Sequence, residues 1–275
     1  VSAAAARGDE ASVSVLLQQT LETGRMDTFG EPPLFAAIKQ DNSAMVKMLL
    51  DRGFHNSPND SETTPLLRAD KYYGWTPLHF AASGGHECAI KLLLTVGANV
   101  GVKGRYGWTP LHFAAAWGHV GVIELLLNAG ANLEEKDTEE ETPLHQAASK
   151  GQVGAIKLLL NAGANLEEKG TKGETPLHHA VRVGQTAVTV IKLLLSAGAN
   201  VAAQDNGGRT PLHRATSGDH RGVIELLLNV GADVAAQDND GSTPLHEAGR
   251  WRYDSAKLLI EAGADLEAKD KSGMT

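Results

Sequence analysis

Cysteine is almost missing: Cys88 is the only one in 275 residues. No internal disulfide can form, so a small disulfide-stapled fold is excluded, and a lone thiol fits a reducing, intracellular setting, cytoplasmic or nuclear. Long apolar runs are missing too. None approaches the roughly 18 residues of a membrane span, and no signal-peptide pattern is visible. Basic charge is scarce: 25 Lys and Arg stand against 33 Asp and Glu, a formal net charge of −8. That balance argues against nonspecific binding of DNA or RNA. No Cys/His spacing of the zinc type occurs, and no glycine-rich loop follows a strand pattern, so neither a metal nor a nucleotide cofactor is expected. Aromatics make up only 5% of the chain, yet eight of the thirteen lie within residues 72–117.

Repetition is what the chain has in abundance. Thr-Pro-Leu-His occurs at 76–79, 109–112, 142–145, 175–178, 210–213 and 243–246, in steps of 33, 33, 33, 35 and 33 residues. Each copy leads to a run of leucines, then to Gly-Ala-Asn or Gly-Ala-Asp. A period this long belongs to a stack of similar small units. Residues 109–130 show what one unit builds. Thr109 caps a helix whose first position is Pro110, where a missing N–H costs nothing. Leu111, Ala114 and Ala115 share one face, and Gly118 ends the helix. A second helix follows, with Val122, Ile123, Leu125 and Leu126 expected inward and Gly130 as its left-handed terminator. Residues 131–142 then form a turn-rich loop. Two antiparallel helices cannot bury their apolar faces alone but can when stacked.

The period of 33 and the Thr-Pro-Leu-His-x-Ala pattern resemble the ankyrin repeat. The resemblance covers nearly the whole chain and implies an all-α solenoid of helix-turn-helix units with projecting, hairpin-like loops. Units are expected at 1–26 (a truncated cap), 27–70, 71–103, 104–136, 137–169, 170–204, 205–237 and 238–269, with 270–275 beginning another. In the second, Phe35 stands where the histidine belongs. Residues 55–70 insert about eleven residues into a loop, to be read as a lid, an added contact or a tolerated insertion. Two residues are gained near 186–190 and one is lost near 250–253, and Glu140 replaces a loop glycine. The absence of an initiator methionine and a stop one residue before the expected proline read as a piece of a longer protein.

Eleven histidines invite a catalytic or metal reading. Six recur in the motif, too far apart in neighbouring units to share a metal. The resemblance implies that they tie loop to helix. His86, His119 and His220 sit at second-helix starts, and the adjacent pair His178–His179 points in two directions. Cys88 has no evident partner, and Glu134–Glu135 and Glu167–Glu168 read as surface charge. The acidic stretch over 134–141 reads as a solvated loop or as a contact for a basic partner. No catalytic residue is expected.

Binding is the remaining question. The residue before the motif is Glu31, Trp75, Trp108, Glu141, Glu174, Arg209 and Ser242 in successive units, with proline replacing threonine after Glu31. The residue after its histidine register is Ala36, Phe80, Phe113, Gln146, His179, Arg214 and Glu247. Because both registers are mostly polar, neither is expected to be core. Helix geometry sets Phe113, Ala116 and Trp117 opposite the buried face, on what the resemblance implies is a concave groove. Trp75, Phe80, Trp108, Phe113 and Trp117, with the loop residues Tyr72, Tyr73, Tyr106, Lys103 and Arg105, form the candidate binding set. Exposed apolar clusters mark interaction sites, and Trp, Tyr and Arg dominate their energetics. The alternative is that these aromatics rigidify loops and fill the space between units. The leading function is a non-catalytic module for a protein or peptide partner, centred on 71–136. A second is recognition of a small ligand. Some ankyrin domains of histone-lysine methyltransferases cage methyl-lysine at positions matching Trp75 and Phe80, though Ser83 and Ala116 stand where a carboxylate is wanted, leaving only the loop acids Glu139 and Glu141. A nucleotide base stacked on Trp75 and Trp108, its phosphate at Lys103 and Arg105, is a variant of it. A third is a passive scaffold within a larger protein. The segment 250–253, Arg-Trp-Arg-Tyr, reads as a minor contact or as packing for a further unit.

Overall fold

Proline at the first helical position, a threonine before it and a glycine after the turn punctuate the chain into short helices. The computed structural model describes residues 3–4, 7–9, 11–15, 33–51, 74–249 and 252–275. Among them are fourteen α-helices outside the N-terminal fragments, one 3-10 turn and no strand. They are α1 (Pro33–Lys39), α2 (Ser43–Asp51), α3 (Pro77–Gly84), α4 (Glu87–Thr95), α5 (Pro110–Trp117), α6 (Val120–Asn128), α7 (Pro143–Ser149), α8 (Val153–Asn161), α9 (Pro176–Val183), α10 (Val188–Ser196), α11 (Pro211–Ser217), α12 (Arg221–Asn229), α13 (Pro244–Ala248) and α14 (Tyr253–Glu261). The expected inserted loop at 55–70, and Tyr72 and Tyr73, lie outside the described residues.

The chain divides into two compact units, Val1–Ala114 with His119–Asn132, and Ala115–Gly118 with Leu133–Thr275. In the first, α1 packs on α2 and α3, and α2, α4 and α6 follow one another in a second row. Leu34, Leu78 and Leu111 from the first helix of each pair, and Leu49, Ile90, Leu93, Ile123 and Leu126 from the second, are fully buried. In the second unit α7, α9, α11 and α13 form one row and α8, α10, α12 and α14 the other. Its core repeats the same registers: Leu144, Leu177 and Leu212 meet Ile156, Leu159, Ile191, Leu194, Ile224 and Leu227. Each such side chain contributes about 1.5–3 kcal/mol by leaving water, which offsets the chain entropy of ordering a short helix pair. Leu125, expected inward, is only half-buried, because Val122, Ile123 and Leu126 already fill that face.

The motif is a clamp. In α3's copy, the Thr76 backbone N–H donates to His79 Nδ1 at 3.0 Å, and the threonine hydroxyl lies 3.0 Å from the same nitrogen. With Nδ1 accepting, the ring proton sits on Nε2, which donates to the carbonyl of Trp108 at 3.0 Å. His145, His178, His213 and His246 make the same bond to the carbonyls of Glu174, Arg209, Ser242 and Met274, at 3.0–3.2 Å. One imidazole thus joins a helix start to the loop about thirty residues on. The loops close on themselves: Asp137 Oδ1 accepts the N–H groups of Glu139 and Glu141, and Asp205, Asp238 and Asp270 repeat that turn. Neighbouring loop tips join through Thr171 N–H to Glu139 O, Asn206 N–H to Lys172 O and Asn239 N–H to Gly207 O, all 2.8–2.9 Å. The residue before the closing position needs positive φ. Gly107 supplies it at 75°, and Glu140 is forced to 57° in the same register. The two extra residues of the sixth unit are taken up by a 3-10 turn, Gly184–Ala187, between α9 and α10.

Candidate functional site: an interlocked register of side chains

The residue before each threonine leaves the loop just where the next helix begins, so its side chain lies over the first helices. In the first unit Trp75 meets Phe80 of its own repeat at 5.0 Å between ring centroids and Phe113 of the next at 4.5 Å, both edge-to-face. Trp108 meets Phe113 at 4.8 Å. The histidine register joins in: Phe35 packs edge-on to Phe80 at 4.9 Å and His79 to Phe113 at 5.8 Å. Such ring pairs are worth about 0.5–1.5 kcal/mol each beyond their burial. Phe35 was not among the expected site residues. Its place in the histidine register was the available signal.

The second unit uses the same geometry with charge. Glu141 accepts from Gln146 of its own repeat at 2.9 Å and approaches His179 of the next at 3.2 Å. Glu174 lies 3.6 Å from its own His179 and 3.0 Å from Arg214 of the next. Arg209 reaches Glu247 of the next at 3.2 Å. The loop aspartates complete the set: Asp137 accepts from Gln146 at 3.2 Å, and Asp205 pairs with Arg214 at 2.6 Å.

This arrangement corrects the expectation that neither register is core. Phe113, Gln146, His179 and Glu174 are 5%, 6%, 1% and 4% exposed, and Ala116, expected on the open face, is also buried. A side chain lying over two repeats is covered by both, whatever its polarity. Burial costs a polar group little once it is paired, so polar composition did not report exposure here. Titration follows. Burial, reinforced by the charge of Asp137, pushes the Glu141 carboxyl up to about 7. Burial, with the nearby His145 and Arg182, takes His179 down to about 3. Arg182 Nη2 lies 3.3 Å from His179 Nδ1, which keeps that nitrogen an acceptor and the ring proton on Nε2. The nearest oxygen to Nε2, on Glu141, is close but out of line with the N–H.

The other expected site residues divide. Trp75, Phe80 and Trp108 are half-buried, and Lys103 and Arg105 are exposed on the loop between α4 and α5. Tyr106 is 55% exposed, and with Trp75, Gly104, Trp108 and Phe113 it lines an open cavity of about 310 Å³. The structure therefore brings Trp75, Phe80, Tyr106, Trp108 and Phe113 together in the first unit. Trp117, 55% exposed, belongs to the second unit. Of the segment 250–253, Arg250 and Trp251 lie outside the described residues, Arg252 bonds the carbonyl of Glu247 and Tyr253 is exposed. Cys88 is exposed. Among the described residues no group of three His, Cys, Asp or Glu side chains is set to hold a metal ion, and no helix is long and apolar enough to cross a membrane.

Residues 66–137, 129–205 and 186–270 each match the family model described as Ankyrin repeats (3 copies). No curated protein matches the chain significantly. Repeats of this kind generally mediate protein–protein interaction and are typically non-catalytic. Those matches span more than half of the sequence, over the same residues in which the threonine–histidine clamp recurs, and the chain belongs to the ankyrin-repeat family.

Proposed function

We propose that the chain is a non-catalytic interaction module that binds a protein or peptide at the aromatic register of its first unit, with the loop carrying Lys103, Arg105 and Tyr106 as part of the contact. One observation carries this reading. A register that in the second unit is filled by paired charges is aromatic here and leaves an open, largely apolar cavity beside a tyrosine 55% exposed. Self-packing of Trp75, Phe80 and Phe113 accounts for the buried part of the cluster but not for the ring surface presented at the cavity. Apolar surface open to water with a tyrosine at its edge is what binding hot spots are made of.

The test is affinity capture from source lysate with the intact chain, a Tyr106→Ser variant and a Trp108→Ser variant, with circular dichroism to verify folding. Tyr106→Ser removes exposed contact without opening the core, so it separates binding from stability. Partners lost with folded Tyr106→Ser support the reading. An unchanged set of partners with both folded variants refutes it and leaves the aromatic register as scaffold.

A further inference from the structure

Asparagine precedes glycine once in the chain, at Asn206–Gly207. In such a pair the backbone nitrogen of the glycine can attack the side-chain carbonyl before it, since no Cβ stands in the way. The pair is exposed on a loop of the second unit, between α10 and α11. It is also a rung of the ladder that joins neighbouring loops. The Asn206 side-chain amide donates to the Thr171 carbonyl at 2.8 Å, and its backbone N–H donates to the Lys172 carbonyl at 2.9 Å. The Asn206 carbonyl accepts the side-chain amide of Asn239 at 2.9 Å, and the Asn239 carbonyl accepts Lys271 Nζ at 2.7 Å. Asn206 therefore ties the repeat at 170–204 to the one at 205–237 and carries the link to the next.

Asn239 is a built-in comparison. It occupies the same register one repeat on and makes the same side-chain bond to the preceding loop. The residue after each asparagine donates its N–H to the loop aspartate, Gly207 to Asp205 Oδ1 at 2.8 Å and Asp240 to Asp238 Oδ1 at 2.9 Å. The two sites differ in the nucleophile. At Asn239 the nitrogen belongs to Asp240, whose side chain obstructs the attack and whose negative charge opposes loss of the N–H proton. At Asn206 that obstacle is missing, but both reacting groups are engaged in the folded chain. Asp205 holds the Gly207 hydrogen, and the Thr171 carbonyl holds the nitrogen that must leave.

We propose that Asn206 is a site of spontaneous hydrolytic modification, gated by opening of this loop contact, and that the modification then unties the two loops. Gly207 N loses its proton and bonds to Asn206 Cγ, closing a cyclic imide, while the side-chain nitrogen leaves as ammonia with that proton. Water then opens the imide at either carbonyl, giving aspartate or isoaspartate. Nothing is oxidised or reduced, and water is the only co-reactant. Aspartate has no donor for the Thr171 carbonyl and sets a carboxylate against it. Isoaspartate also lengthens the backbone by one methylene, out of register with Lys172 and Asn239. The contact slows the reaction that destroys it, so modification accumulates in chains whose loops have opened.

Incubation of the intact chain at mildly alkaline pH, native and in urea, tests this. Peptide mass spectrometry, with fragmentation that separates isoaspartate from aspartate, gives the rates. In urea Asn206 should convert first while Asn239 persists. In the native chain conversion of Asn206 should be slower by about tenfold or more, because two hydrogen bonds must open first. Gly207→Ala should suppress the reaction in urea. The same register holds Glu139, Lys172 and Asp240 in other repeats, so the loop tolerates a side chain there. Asn206→Asp, which carries the product in advance, should speed amide exchange over 205–209 by about fivefold or more, the scale of one lost hydrogen bond, while α12 exchanges as before. Equal rates in native and unfolded chains remove the gate. Conversion of Asn239 alongside Asn206, persistence of Asn206 in urea or indifference to Gly207→Ala removes the site. Unchanged exchange in Asn206→Asp removes the consequence. Any one of these outcomes overturns the inference.

Discussion

Lowering the pH should unfold the second unit from its clamps outward. His145 is fully buried, its Nδ1 accepts the Thr142 N–H at 3.1 Å, and its Nε2–H is committed to the Glu174 carbonyl. A second ring proton has nowhere to go without displacing the threonine. Burial takes the ring from 6.5 down to about 4. The folded pKa lies below the unfolded one, so the unfolded chain takes the proton first. The stabilisation is complete above pH 6.5 and is lost as pH falls towards about 4. At about 1.4 kcal/mol per unit, that difference amounts to about 3 kcal/mol for His145 alone. Burial lowers His178 and His213 as well, and His179 falls to about 3, all with the same sign. Glu141 opposes them. Its folded value is raised from 4.5 to about 7, so its contribution is complete below pH 4.5 and is lost as pH rises through about 7. Between 4.5 and 6.5 it cancels roughly one histidine. Urea unfolding at a series of pH values, with amide exchange read over 142–213, should show a net fall in stability through that window. Glu141→Gln should steepen it. Nitrogen-resolved NMR of the rings provides the sharpest check. A His145 ring that titrates near 6.5, or that carries its neutral proton on Nδ1, refutes the argument at its root.

Two further outcomes follow from the same structure. Glu140→Gly should stabilise the chain by about 0.5–1 kcal/mol, since a non-glycine residue at φ 57° costs about 1–2 kcal/mol and the added glycine entropy returns only part of it. Its 3.7 Å contact with Lys136 is exposed and worth a few tenths at most, and a lower urea midpoint for the variant would contradict this reasoning. Arg214→Met should cost about 1–3 kcal/mol, because it removes the cation shared by Glu174 and Asp205 while Glu174 keeps Arg182 at 3.4 Å and Asp205 keeps the N–H groups of Gly207 and Arg209. A variant carrying Glu174→Gln and Asp205→Asn as well should recover most of that loss in the same urea assay, and no recovery would mean that Arg214 acts mainly through its packing.

The parts of the fold that depend on local chemistry were legible in the sequence. Thr76, Pro77 and His79 specify a helix start and its clamp wherever they recur, and Gly130 marks an end that only positive φ can make. The buried faces followed from helical period, apart from Leu125, which is half-buried, and Phe113 and Ala116, which the period set on the open face and stacking buries. The candidate site was legible as a set of residue types but not as a packing arrangement. Trp75, Phe80, Trp108 and Phe113 stand out by composition, yet nothing in one repeat says that Trp75 lies across the next repeat's Phe113. That contact spans 38 positions and exists only after stacking.

The polar half of the register shows why composition misled and what would have served better. Treating each register alone makes Glu174 and Arg214 look like solvated surface. Treating the two registers as a pair, shifted by one repeat, sets Trp75 against Phe113, Glu141 against His179, Glu174 against Arg214 and Arg209 against Glu247. These four of the six shifted pairs are complementary, apolar with apolar or acid with base, whereas Glu31 with Phe80 and Trp108 with Gln146 are not. The register therefore acts as a mortise between repeats, and its chemistry changes along the chain while its geometry does not. A repeat whose mortise is ionic spends its side chains on its neighbour. The one at Trp75 and Trp108 has the same joint in apolar form, with an open cavity beside it.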